Sequence, residues 1–116
     1  MARILLVEDE PIAAWNIQES LENLGYAPVD TVVSGEAALE SIANLQPDLI
    51  IMDIRLEGDI DGIQTSNLIR LRFDIPIIYL TAHADEDTLN RAMQTQPFGY
   101  LTKPFRQKEL QTTINI

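Results

Sequence analysis

LIIMDIRL, residues Leu49 to Leu56, decides how this chain folds. Leu49, Ile50, Ile51 and Met52 form an unbroken apolar run that leads straight into an acid, Asp53. A run without polar alternation reads as a strand buried on both faces, as in a parallel sheet lying between layers of helix. The aspartate that ends it stands at the rim of the core, where a charged group needs a partner.

Similar runs recur outward from this one: Ile4 to Val7, Val29 to Val33, Leu49 to Ile54 and Ile75 to Leu80, each bounded by Pro, Gly, Asp or Thr. They are predicted to be buried strands. Between them the apolar residues follow helical spacing, as in Ala14, Ile17, Leu21 and Leu24, then Ala38, Ile42 and Leu45, then Leu89, Ala92 and Met93. Pro11 suits a first helical turn, Gly25 a helix end, Ser34 an N-cap, and Asp85 to Asp87 a helix N-terminus. A weaker fifth strand is predicted near Tyr100 and Leu101, and a last helix from about Gln107 carries Leu110 and Ile114 inward. Five strand-helix units in strict alternation predict a doubly wound α/β fold, a five-stranded parallel sheet with helices on both faces and right-handed crossovers.

Composition narrows the function. At 116 residues the chain, 1–116, is read as one domain, with 46% hydrophobic and 22% charged residues. A formal net charge of -10, from 18 acids and 8 bases, argues against direct contact with nucleic acid or anionic membrane. The absence of cysteine excludes a disulfide framework, a thiol nucleophile and a thiolate zinc site. The first apolar run is too short for a signal peptide and no window approaches the ~20 apolar residues of a membrane span, so a cytoplasmic location is expected. The last helix reaches Ile116 without a Gly or Pro stop, which suggests a chain cut from something longer.

In a doubly wound sheet the binding crevice lies beyond the carboxyl ends of the strands. Those ends carry Glu8 and Asp9, Asp53, Thr81 and Ala82, and Lys103 and Pro104. Three carboxylates brought together repel; at ~4 Å and an effective dielectric of ~20 each pair costs about 4 kcal/mol, so they protonate or bind a cation. Oxygen donors alone suit Mg²⁺, whose shell can be completed by a phosphate. An aspartate there can attack phosphorus, and Lys103 and Thr81 supply charge and a donor for the phosphoryl oxygens.

The strings LLVEDE, LIIMDIRL, PIIYLTA and FGYLTKPF resemble, in order and spacing, the four motif blocks of response-regulator receiver domains, which have a flavodoxin-like fold. The resemblance implies a signalling phosphoacceptor rather than a turnover enzyme: Asp53 takes phosphate from a histidine kinase or phosphotransfer protein. It implies Mg²⁺ (or Mn²⁺) held by Glu8, Asp9, Asp53 and the backbone carbonyl of Arg55, with Thr81 and Lys103 on the phosphoryl oxygens. It implies that Tyr100 switches together with Thr81 and so alters the face of the fourth helix, fifth strand and fifth helix, a candidate homodimer surface. A cis bond at Lys103-Pro104 is implied as well. The loop Leu56 to Gly62 departs from the family in being one residue longer and lacking its usual proline, which resembles receivers that accompany sensor histidine kinases in archaea and some bacteria.

Each residue has a plainer reading. Glu8 and Asp9 before a helix can serve its dipole, Lys103 can be a surface lysine, Tyr100 can be core, and His83 can simply pack; it is the convergence of five groups that favours a site. Asp59-Ile60-Asp61-Gly62 lacks the later ligands of a calcium loop. The alternatives are a phosphohydrolase with an aspartate nucleophile, which would want a second aspartate where Arg55 stands, a nucleotide-binding module, which would want a glycine-rich turn after the first strand, and a non-phosphorylated pseudo-receiver. The resemblance puts Arg55 and His83 at the rim where water reaches an acyl phosphate. Exchanging either is expected to change autodephosphorylation several-fold, and unchanged decay of both phosphorylated variants would overturn that.

Overall fold

The structure, a computed structural model, describes residues 3–82 and 85–115. The chain runs β1 (Ile4–Val7), α1 (Pro11–Asn23), β2 (Val29–Val32), α2 (Gly35–Leu45), β3 (Leu49–Asp53), α3 (Gly62–Arg70), β4 (Ile77–Thr81), α4 (Glu86–Gln94), β5 (Gly99–Thr102) and α5 (Gln107–Ile114). The five strands form one parallel sheet in the order β2-β1-β3-β4-β5. The doubly wound α/β prediction therefore holds, with the reversal of strand order lying between β1 and β3.

Successive strand residues point to opposite faces, and the core divides accordingly. Ile4, Leu6, Ile51, Ile78, Leu80 and Leu101 pack beneath Ala14, Ile17 and Leu21 of α1 and Leu110 of α5. Leu5, Val7, Ile50, Met52 and Tyr79 pack on the other face against Ala38 and Ile42 of α2, Ile63 and Ile69 of α3, and Ala92 of α4. Both faces of β1, β3 and β4 are buried, which is why these strands read as unbroken apolar runs.

The helix ends follow the predicted chemistry. Pro11 stands in the first turn of α1, Ser34 Oγ accepts the Ala37 N–H at 3.0 Å, Asp85 caps α4 by accepting from Thr88 N–H at 2.8 Å, and Gly25 follows α1 with φ +92. Two further caps carried a sequence signal that the motif reading passed over. Glu10 accepts from Ala13 N–H at 2.7 Å, and Asp61 with Gln64 forms a capping box on α3, the true role of the Asp61-Gly62 pair. Lys103-Pro104 is cis, and so is Ala27-Pro28.

Some boundaries and burials differ from expectation. β2 is an edge strand and only partly buried, and Val33 lies outside the ladder, 61% exposed. β3 ends at Asp53, one residue before Ile54. β4 starts at Ile77 rather than Ile75, because Pro76 has no N–H to give the ladder. Met93, expected on the inner stripe of α4, is 40% exposed; Ala92 is the one buried residue of that helix, and Leu89 is only partly buried.

Leu110 is fully buried although α5 is short. Leu110→Ala is expected to lower stability by about 2–5 kcal/mol in a denaturant titration, the range for truncating a buried leucine; a loss under about 1 kcal/mol would mean that α5 is not part of the core.

Candidate functional site

The register of the central strands builds the site. Val7 pairs with Met52, so the residues that follow, Glu8 just past β1 and Asp53 at the end of β3, emerge side by side at the carboxyl edge. Glu8 is 1% exposed and Asp53 6% exposed, while Asp9 is partly buried. One oxygen from each of Glu8, Asp9 and Asp53 lies within 4.8 Å of the others. Gly62 permits this arrangement: its N–H donates to Ile54 O at 2.8 Å, and a Cβ there would overlap the carbonyl oxygen of Asp53. Nothing in the sequence pattern marked Gly62 beyond its place at the end of the loop, because close backbone approach leaves no periodic trace.

Each carboxylate is fixed differently. Lys103, just past the end of β5, donates from Nζ to Glu8 Oε1 at 2.5 Å and to Asp53 Oδ2 at 3.0 Å. The second oxygen of Asp53, Oδ1, accepts the Arg55 N–H at 3.0 Å. Asp9 Oδ2 accepts the backbone N–H of Glu57 at 3.0 Å, a contact that no local sequence pattern announces. Burial, and next the hydrogen bonding with Asp53, push the Glu8 carboxyl up to about 7. Burial would lower Lys103, but its hydrogen bonds and charge attraction to Glu8 and Asp53 outweigh this and hold the ammonium above the usual lysine range.

The remaining predicted residues are distributed around this cluster. Thr81 is buried at the end of β4, and its carbonyl accepts the Lys103 N–H at 2.8 Å, tying the fourth and fifth strand ends together. The Arg55 side chain is exposed; hydrogen bonds from Thr88 hold Asp85 below the usual carboxylate range, and the Arg55 charge adds a smaller pull in the same direction. Tyr100 pairs with Tyr79 in the ladder and is 43% exposed, outside the carboxylate cluster. His83 lies outside the described residues.

The sequence and fold of this chain are matched by known proteins. The family model "Response regulator receiver domain" matches residues 4–115, and the chain belongs to that family. The transcriptional regulatory protein PdtaR of Mycobacterium tuberculosis is 33% identical over 114 residues, covering 98% of this chain and 55% of the relative. The positive alginate biosynthesis regulatory protein of Pseudomonas aeruginosa is 39% identical over 110 residues, covering 92% and 43%. The chain thus spans about half the length of the curated relatives it matches. Among solved structures, the receiver domain of a sensor histidine kinase from Pseudomonas aeruginosa PAO1, with a magnesium ion coordinated in its active-site cleft, is 37% identical with a TM-score of 0.89, covering 98% of this chain and 94% of that one. The signal receiver domain of a modulated diguanylate cyclase from Desulfovibrio desulfuricans G20 is 36% identical with a TM-score of 0.92, covering 99% and 91%. The chain is accordingly a receiver domain of two-component signalling, and the phosphohydrolase and pseudo-receiver readings are not favoured.

Receiver domains bind Mg²⁺ at an acidic pocket, and the donor set here fits: three carboxylate oxygens close enough to share one ion, with no nitrogen or sulfur donor in the cluster. In cation-free protein the raised Glu8 value means that the folded state holds a proton over a window, from the ordinary 4.5 to about 7, where the unfolded chain has released it. Stability from this group is therefore greatest below the window and lost as pH rises through it, while Lys103 stays charged throughout. Denaturant titrations without divalent cations are expected to show lower stability at about pH 8 than at about pH 5, with the decline reduced in Glu8→Gln. Added Mg²⁺ is expected to restore more stability at the higher pH, since the cation needs the ionised carboxylate; equal stabilisation at both would sink this account.

Proposed function

We propose that Asp53 is the phosphoacceptor of this receiver domain. The observation that carries the reading is that both oxygens of a buried Asp53 are held, Oδ1 by the Arg55 N–H and Oδ2 by Lys103, each at 3.0 Å. A carboxylate fixed at a crevice keeps one orientation toward an incoming phosphorus and loses little freedom in reacting. Glu8, Asp9 and Asp53, with the backbone carbonyl of Arg55, would hold Mg²⁺, or Mn²⁺ in its place. The bound cation supplies positive charge that offsets the carboxylates and the phosphoryl oxygens.

In the transfer an Asp53 oxygen forms a bond to phosphorus as the phosphorus–nitrogen bond of the donor's phosphohistidine breaks, and the departing imidazole takes a proton from solvent. Lys103 then turns its donors from the carboxylates to the new phosphoryl oxygens, and Thr81 contributes its hydroxyl. Water attack at phosphorus later releases inorganic phosphate and returns the carboxylate, with Arg55 and His83 tuning the rate. Tyr100, exposed in this state, moves inward with Thr81 and changes the α4, β5 and α5 face, through which two copies can pair. The donor is a histidine kinase or a phosphotransfer protein in the cytoplasm, and the receiver unit spans 1–116.

Incubating the protein with Mg²⁺ and acetyl phosphate is expected to add one phosphoryl group by intact mass, and Asp53→Asn to add none. A wild type that stays unmodified, or an Asp53→Asn variant that still gains the group, overturns the assignment.

A further inference from the structure

Glu8 and Asp53 are oriented by Lys103, but Asp9 is oriented by a loop, through the Glu57 N–H at 3.0 Å. Glu57 is exposed, and the chain turns immediately after it at Gly58, φ +107. The aim of that N–H therefore depends on what holds residues 58–60.

The first turn of α2 holds them. Glu36 Oε2 accepts the Asp59 N–H at 3.4 Å. The same carboxylate lies against Gly58, where a Cβ would stand 2.8 Å from Oε2 and 3.2 Å from Oε1. Next to it, a Cβ on Gly35 would stand 3.0 Å from Cγ1 of Ile60. Glu36 Oε1 is buried and has no hydrogen-bond partner among the described residues. An acid in the first turn serves the helix dipole well enough from solvent, so that preference does not account for a partly buried side chain whose enclosed Oε1 is left unsatisfied.

We propose that Glu36 is a positioning residue for Asp9: its carboxylate clasps Gly58 and Asp59, which keeps the Glu57 N–H aimed at Asp9 Oδ2 and fixes the Asp9 carboxylate beside Glu8 and Asp53. This rests on the reading of Asp9 as a cation ligand. Groups that orient a metal ligand typically change affinity by about 10- to 100-fold when removed, and a long hydrogen bond acting through a loop belongs at the low end.

Calorimetric titration of the full chain with Mg²⁺ is expected to show affinity about tenfold weaker in Glu36→Ala, mostly recovered in Glu36→Gln, whose amide oxygen accepts the same bond. Glu40→Ala, which removes an exposed acid one turn further along α2, is expected to bind like the wild type. With acetyl phosphate, Glu36→Ala is expected to need more Mg²⁺ for half-maximal phosphorylation while reaching the same rate at saturation. In cation-free protein the Glu57 amide is expected to exchange hydrogen faster in Glu36→Ala, and Gly58→Ala, which disturbs the clasp from the loop side, to do the same. Wild-type affinity in Glu36→Ala, equal losses in the Gln and Ala variants, or unchanged exchange at Glu57 would each overturn the proposal. A wild type that binds no Mg²⁺ would overturn the ligand reading instead, and the Glu57 exchange rates would still decide whether Glu36 holds the loop.

Discussion

Three carboxylates gathered at the rim of a buried sheet repel one another, and in the cation-free protein Lys103 is the group that opposes this, reaching Glu8 and Asp53 from the end of the edge strand β5. Its two bonds cross 95 and 50 residues of sequence, so one ammonium joins the ends of β1, β3 and β5. Buried ion pairs of this kind add little net stability, because the cost of removing the charges from water consumes most of the attraction. A lysine and three acids at such a spot are better explained by chemistry than by folding. Burial first, and the hydrogen bond and charge of Asp53 after it, keep Glu8 raised: one ammonium does not neutralise the cluster, and a proton or a cation completes it.

The topology makes this convergence unavoidable. Because strand order reverses between β1 and β3, the two central strands send their loops to opposite sides, and a cleft opens above their ends. The inner strands are buried on both faces and rigid, which gives Glu8 and Asp53 a fixed platform. Gly62 lets α3 begin close against the backbone of Asp53, so the phosphoacceptor candidate is braced from behind as well as from the sides.

Anchoring is uneven around the sheet. α3 buries five residues, while α4 and α5 bury one each, Ala92 and Leu110. α4 relies instead on polar ties: the buried bond between the Tyr79 and Thr95 hydroxyls at 2.7 Å, Arg91 to Asp61 at 3.3 Å, and Arg70 to the Gln96 carbonyl at 3.3 Å. Elements held by few apolar contacts open and shift at low cost. The face formed by α4, β5 and α5 thus combines proximity to Lys103 with light apolar anchoring.

The sequence by itself determined the fold class, because runs such as LIIMD are long enough and apolar enough to read as strands buried on both faces, and helical spacing between them left one architecture. It also determined most of the candidate site, since functional groups on such a sheet follow the strand ends: Glu8, Asp9, Asp53, Thr81 and Lys103 were legible as chemistry before any coordinate. What only the tertiary structure decided were the relations between distant residues. That Lys103 bonds Glu8 and Asp53, that Glu57 rather than a side chain orients Asp9, and that Gly62 abuts Asp53 depend on register and loop path, which local periodicity does not encode. The same reason exposes Met93 and leaves β2 only partly buried: hydrophobic spacing names a face to be covered, and only the packed structure shows how much cover there is.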